Sequence, residues 1–384
     1  MPHIKRKVFM DNSLGFSGSY HPDDVVFLLN KKEIQATDVV EKEKLIQSGK
    51  KHYSQMISVE RPPSNMHMNY YQHAMDFFGF RMADEIQLLG NTIIKRLPQG
   101  EPIVLVSLVR AGVPVGVLLK RHIQKQAPCF HYAISIVRDR GIDFAALQLI
   151  INRHGAKSIV FVDGWTGKGA ISKELTETLQ GYPDLFEAGD TIPRLVTLAD
   201  LGGCSWLAAS ADDWIIPSGI LNSVVSGLVS RSILDTDYSE EERIQNSENP
   251  EYWHSCIEYK ELKLFDVTNK FVDDVTSKMF RINDHETIEW TIEQRNTQKE
   301  WCLATIDAIA QKYEITNLNR IKPGIAEATR AVMRRVPELI LVKTTASPHI
   351  GLLCHLGRKA GVEIREVGDE LGPYEAVTLI KKTS

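Results

Sequence analysis

The sequence predicts an α/β protein: a doubly wound parallel sheet followed by a small second α/β domain. Three observations carry this. Between residues 103 and 198, short and almost wholly apolar runs alternate with amphipathic segments. Strands that are apolar on both faces need helices on both faces, which a parallel sheet provides. A polar, aperiodic stretch at 283–300 then interrupts the pattern, and beyond it the same alternation resumes on a smaller scale.

In chain order, residues 1–64 hold short amphipathic pieces, Val25 to Leu29 and Val39 to Ile46, around the turn-rich Phe16-Ser17-Gly18-Ser19-Tyr20. From Met66 to Leu97, the residues Met75, Phe78, Met82, Ile86, Leu89 and Ile93 recur at spacings of three and four. That spacing predicts a long helix packed on one face of the sheet. Strands follow at Ile103 to Val106, Tyr132 to Val137, Ile159 to Val162 and Leu195 to Leu198. The helices between them are Pro114 to Gln124, Ala145 to His154 with Gly155 as its stop, and Ala170 to Leu179. Residues 283–300 read as a linker, which gives domains 1–290 and 301–384. The second domain offers helices Trp301 to Gln311, Gly324 to Arg335 and Ile350 to Ala360, with strands Leu339 to Val342, Val362 to Val367 and Ala376 to Ile380. These suffice for one small three-layer unit.

With 43% hydrophobic and 24% charged residues over 384 positions, the chain has the composition of a soluble globular protein. Its apolar runs are too short to span a membrane. Met1 to Met10 carries Lys5, Arg6 and Lys7 but no apolar core of signal-peptide length, so the expected location is the cytoplasm. Five cysteines without a Cys-x-x-Cys pair argue against structural zinc and against a disulfide framework, and fit buried, reduced thiols. Cys204, after Gly202-Gly203, is the one for which a nucleophilic role competes with simple packing. The net charge of -4 makes no case for nucleic acid along the whole chain, but residues 301–384 carry +3 and the rest -7, so the second domain reads as a weakly basic module. The sequence does not fix the oligomeric state, and a homodimer is the expected assembly.

Two loops carry the chemistry. Strand Ile159 to Val162 ends in Asp163, followed by Gly164-Trp165-Thr166-Gly167-Lys168-Gly169-Ala170 and a helix with Ile171, Leu175 and Leu179 on one face. A carboxylate at a strand's carboxyl end can hold ribose hydroxyls or a magnesium ion, and small residues beside it let backbone N–H groups close on a phosphate. An ordinary strand-to-helix turn is the competing explanation. After Val106 comes Ser107-Leu108-Val109-Arg110-Ala111-Gly112-Val113-Pro114-Val115-Gly116, in which Arg110 and free N–H groups can bind an anion just before a helix. Two such loops imply a substrate with phosphate at both ends, gripped in one cavity shared by Arg110 and Lys168. A Walker-type triphosphatase is excluded, because Gly169 stands where that motif needs Ser or Thr after the lysine.

The pair of loops resembles the type I phosphoribosyltransferase family. The resemblance implies that Arg110, Ala111 and Gly112 hold pyrophosphate, helped by Arg138 and Arg140 from a mobile loop. It implies Asp163 on the ribose hydroxyls and magnesium, and Gly164, Thr166, Gly167, Lys168, Gly169 and Ala170 around the 5-phosphate of phosphoribosyl pyrophosphate. Arg110 and Asp163 become the catalytic residues for making or breaking a bond at ribose C1. Residues 200–231 would then build a hood over the acceptor, with Asp212, Asp213, Trp214, Asn222 and Ser223 as pocket candidates. Gly164 stands where that family has a second acid.

A closer similarity covers nearly the whole chain. Phe16 to Tyr20, Glu41 to Gly49 with His52-Tyr53-Ser54, the Val162-to-Gly169 core, and Ile216 to Ser223 with Val225-Ser226-Gly227 and Ser230-Arg231 look like the bacterial StiP family. That resemblance implies a place in tellurium-resistance and stress operons, and a divergent phosphoribosyltransferase domain joined to a C-terminal Pelota-type RNA-binding domain. Some members carry a cysteine protease label, for which the sequence offers no Cys/His pairing. Lys322-Pro323-Gly324-Ile325-Ala326-Glu327-Ala328-Thr329-Arg330 resembles the helix start by which kink-turn RNA binders grip RNA, so Lys322, Gly324, Glu327 and Arg330 are the expected RNA contacts, with Ala326 in place of the usual asparagine. The expectation is a stress-linked phosphoribosyltransferase, against a nucleotide-sensing or RNA-binding regulator or a phosphoribosyl or nucleoside hydrolase.

Overall fold

In the computed structural model, which describes residues 14–234 and 238–382, six parallel strands form the centre of the first unit. The reading of Met1 to Met10 lies outside the described residues. β1 (Val26–Phe27), β2 (Ile103–Leu108), β3 (Cys129–Ile134), β4 (Ile159–Val162), β5 (Leu195–Asp200) and β6 (Leu207–Ser210) lie in the order β1-β3-β2-β4-β5-β6. A short segment, Trp165–Thr166, pairs in parallel with Ala199–Asp200. β2 and β4 are buried along their whole length, as strands covered on both faces must be. The chain steps from β2 to β3 on one side and then crosses to β4 on the other. This reversal opens a crevice beyond the carboxyl ends of β2 and β4.

The helices α1 (Val39–Gln47), α2 (Asn65–Arg96), α3 (Gly112–Ile123), α4 (Phe144–His154) and α5 (Ala170–Thr178) follow the predicted order. α2 presents Met75, Met82, Ile86, Leu89 and Ile93 to one apolar layer beside α3, and α4 and α5 fill the other layer. The strand expected over Tyr132 to Val137 is broken. β3 ends at Ile134, and Ile136–Val137 pairs antiparallel with Gly141–Ile142, which places Arg138, Asp139 and Arg140 at a hairpin turn.

The stretch read as a linker is not one over its second half. Helix α6 (Ile292–Lys312) begins inside it, capped by Thr291 and Gln294 in a reciprocal box. Its first turns meet the first unit through polar groups: Arg295 pairs with Asp190 at 2.8 Å with both side chains buried, and Gln298 donates to the Leu201 carbonyl at 3.0 Å. A helix face buried through charges and amides leaves no apolar period to read.

Beyond it, β7 (Ile321–Pro323), β8 (Pro337–Val342), β9 (Glu363–Glu366) and β10 (Ala376–Ile380) form a sheet of order β7-β10-β8-β9, parallel only between β8 and β9. α6 covers one face, and α7 (Ile325–Arg334) with α8 (Gly351–Lys359) covers the other. Ile325 and Ala328 of α7 and Leu352 and Leu353 of α8 belong to the same apolar cluster as α2 and α3. The second unit is therefore packed onto the first through a continuous core. No helix among the described residues is long and apolar enough to cross a membrane.

Candidate functional site

The crevice at the sheet's reversal is widened by the second unit into a cleft of about 880 Å³. Its floor is the loop after β4, from Asp163 to Ala170, with Ala111 from the loop after β2. Trp165–Thr166 is held in place because Thr166 Oγ1 donates to Asp200 Oδ1 at 2.6 Å, and Asp200 also accepts the N–H groups of Cys204 and Ser205 at 2.9 and 2.8 Å. Gly169 starts α5 with φ 79, a left-handed conformation that favours glycine. Burial pushes the Asp163 carboxyl up to about 6, against the opposing effects of the Gly164 N–H and the Arg330 charge.

The opposite wall comes from α7 and the segment leading into β7. Lys168 Nζ donates to the Leu318 carbonyl and, at 3.1 Å, to that of Ile321. Lys322 pairs with Glu327 at 3.5 Å, and Glu327 approaches Gly167 so closely that a Cβ there would come within 2.6 Å of its Oε2. Arg330 lies over the Trp165 ring, 4.6 Å from its centroid. Lys322, Glu327 and Arg330, expected to meet RNA, thus face the glycine-rich loop of the first unit. Gly324 does not line the cleft; it packs beside Leu201 and Asp213. Arg138 and Arg140 stand at one rim, and Arg138 donates to Asn319 Oδ1 at 3.3 Å across the two units. Among the described residues that line the cleft, eleven are Lys or Arg and three are Asp or Glu. The space is built for negative charge.

Two expectations fail on this geometry. Arg110 does not enter the cleft with Lys168. Its guanidinium turns into a separate cavity of about 570 Å³, where it meets Glu60 at 3.3 Å, the Val229 carbonyl at 3.2 Å and Asn222 Oδ1 at 3.2 Å. Gly112 is explained by packing, since a Cβ there would lie 2.0 Å from the Val162 carbonyl oxygen where α3 starts against β4. The acceptor pocket is also dispersed. Asp213 is buried and caps α7, accepting from Ile325 N at 2.9 Å and Glu375 N at 2.8 Å. Trp214 is buried beneath Arg81, which pairs with the exposed Asp212 at 2.7 Å. Asn222 bridges Arg110 and Arg334, and Ser223 N donates to Glu60. None of these five lines the large cleft.

Sequence reasoning missed Glu60, which joins Arg110 to Arg334 at 3.3 and 3.7 Å. Burial alone would raise the Glu60 carboxyl, but Arg110, Arg334 and the Ser223 N–H outweigh it and hold it at about 2. Nothing local marks this residue. Arg231 packs over the Tyr53 ring and donates to the Tyr53 carbonyl at 2.7 Å, tying the segment before α2 to the cleft wall.

Residues 18–276 match the family model described as "Tellurite-like stress resistance cysteine protease StiP", and residues 301–382 match the "PELOTA RNA binding domain". The chain is also 50% identical over 369 residues to "Cysteine protease StiP" of Acinetobacter baylyi, across 96% of this chain and 95% of that one. The chain belongs to the StiP family. A solved hypoxanthine phosphoribosyltransferase from Trypanosoma cruzi, in complex with IMP, aligns over 39% of this chain and 72% of its own at 14% identity with a TM-score of 0.22, too slight a likeness to carry an argument.

The StiP descriptions overturn the enzymatic expectation. Both name a cysteine protease, so the predicted chemistry at ribose C1, by transfer or hydrolysis, falls, and with it phosphoribosyl pyrophosphate, magnesium and the nucleotide-sensing alternative. The separation of Arg110 from Lys168 agrees with this correction. The thiols stand as follows. All five cysteines are buried, and among the described residues none hydrogen-bonds to a histidine. Burial pushes Cys129 and Cys256 up to about 12, and burial with the nearby Asp200 holds Cys204 well above the usual thiol range. Cys204, at 9% the most exposed of the five, lies against Gly169 at the back of the cleft floor.

Proposed function

We propose that this StiP-family protein binds RNA in the cleft between its two units and acts in stress resistance in the cytoplasm. The observation that carries the reading is the excess of cationic side chains around an open groove whose far wall is the Pelota unit. Lysine and arginine gathered along a groove neutralise backbone phosphates and release counter-ions, which gives affinity without base readout. Lys322, Glu327 and Arg330, around the start of α7, face the groove, so the strand is held between both units.

The test is fluorescence anisotropy of a labelled single-stranded RNA at several salt concentrations. The logarithm of affinity should fall steeply with the logarithm of salt. Changing Arg138 and Arg140 together to glutamate should weaken binding at least about tenfold and reduce the slope by roughly 1.4, since each lost single-strand phosphate contact removes about 0.7. Binding that is unchanged in this double variant would sink the reading.

A second reading is favoured by the family's description and by the place of Cys204: a thiol peptidase with Cys204 as nucleophile, exposed when the Gly167-to-Ala170 loop moves. As the protein stands, the thiolate is disfavoured by burial and by Asp200. Iodoacetamide should therefore label Cys204 slowly in the native protein and rapidly after urea, as read by mass spectrometry. Rapid native labelling, together with casein cleavage abolished by Cys204→Ala, would establish the peptidase.

A further inference from the structure

We propose that Arg330 and Arg334 form a pocket for a phosphate dianion, the terminal phosphate of the strand held in the cleft. This rests on the RNA reading above.

The first argument is charge. Four guanidinium groups, those of Arg110, Arg231, Arg330 and Arg334, act on one another here. They face two carboxylates, Glu60 and Asp163, which leaves a charge of +2. Arg110 is buried and the other three are partly buried, and charge of one sign withdrawn from water is costly unless an opposite charge is brought in. The cost is visible in the arginines themselves: burial first, then their like-charged neighbours, draws Arg330 down to about 9 and Arg334 to about 10. A phosphate monoester carries about -1.5 to -2 at neutral pH and offers three acceptor oxygens, whereas a carboxylate balances only half of this surplus.

The second argument is the donors. Arg231 is spent on backbone carbonyls, and Arg110 is bound to Glu60, Val229 and Asn222. Arg334 uses one nitrogen on Asn222, at 2.7 Å. Arg330 has no hydrogen-bond partner among the described residues; its Nε is buried and unpaired, and its guanidinium is held flat on Trp165. It is a planar fork whose donors are unpaired, the form that binds a phosphate through two parallel bonds.

The third argument is position. Arg334 lines both the large cleft and the smaller cavity, so it stands at the partition between them. Its contacts with Asn222 at 2.7 Å and Glu60 at 3.7 Å close this partition, so the groove does not continue into the smaller cavity. A strand entering from the rim at Arg138 and Arg140 therefore ends against Arg330 and Arg334, and what reaches them is its terminus.

The experiment uses the full chain and three labelled RNAs of one sequence, about twelve nucleotides long to fill a single-strand site: hydroxyl at both ends, 5′-phosphorylated, and 3′-phosphorylated. One phosphorylated strand should bind at least about tenfold more tightly than the hydroxyl-ended one, equivalent to 1.4 kcal/mol. Arg330→Gln should collapse that ratio to near one, and Arg330→Lys, which keeps the charge but loses the fork, should leave it intermediate. A thermal-shift arm compares inorganic phosphate with chloride at matched ionic strength. Stabilisation by phosphate that is lost in Arg330→Gln, with no preference among strand ends, would overturn the terminal assignment and leave a site for the free anion. Equal binding of all three strands without a phosphate shift would overturn the pocket while leaving RNA binding intact. Failure of every strand to bind would overturn the functional reading itself.

Discussion

Asp213→Ala should destabilise the protein by about 2–4 kcal/mol, the cost of leaving two buried backbone N–H groups unpaired and a helix uncapped. α7 begins at Ile325 after Gly324, which has no side chain to cap it and takes φ 84. The cap is supplied from the other unit. Asp213 accepts from Ile325 N at 2.9 Å and from Glu375 N at 2.8 Å, so one carboxylate ties α7 and the approach to β10 to the first sheet. Urea unfolding followed by circular dichroism should show a lower midpoint, and limited proteolysis should release a fragment beginning between residues 279 and 291, ahead of α6, more readily than in the parent. Asp212→Ala, which removes only a surface pair with Arg81, is the control and should change stability by no more than about 0.5 kcal/mol. Equal effects of the two changes would refute the capping role.

Glu60→Gln should cost about 3–5 kcal/mol, the range for breaking a buried ion pair by removing one partner. The Glu60 and Arg110 side chains are 14% and 5% exposed, and without the carboxylate the two guanidinium groups of Arg110 and Arg334 are left against each other. The pH dependence has a definite sign. The folded-state value of Glu60, about 2, lies below its ordinary 4.5, so its contribution is fully present above about 4.5 and is lost as pH falls from there toward 2. Urea midpoints of parent and variant measured at pH 7 and pH 3 should therefore converge on the acid side. A gap that stays constant between the two pH values would show that the charge of Glu60 is not what stabilises this site.

The order of elements was legible because burial on both faces leaves a plain mark. Ile159–Val162 and Ala376–Ile380 appear where continuous apolar runs placed them, and α2 runs from Asn65 to Arg96 where a three-and-four spacing predicted Met66 to Leu97. The start of α6 was not legible. Arg295 and Gln298 are buried by pairing with Asp190 and the Leu201 carbonyl, and a polar buried face looks like solvent-exposed sequence until its partners are known. The hairpin that cuts short the strand at Ile134 was hidden for a related reason: Ile136 and Val137 are buried, so the apolar run continues through the break.

At the site, residue chemistry was readable and convergence was not. The loop from Asp163 to Ala170 announced an anion-facing turn, and it does floor a cationic cleft. The sequence by itself determined the parallel sheet, the crevice at its reversal, the basic second unit and the membership of the StiP family, because periodicity, composition and local motif are properties of neighbouring residues. Only the tertiary structure decided that Arg110 turns away to Glu60, that Asp213 caps a helix of the other unit, and that Arg330 and Arg334 close the end of the groove. Those pairings join residues 50 to 274 positions apart, and such long-range choices rest on desolvation and charge balance in the folded interior, which no local pattern records.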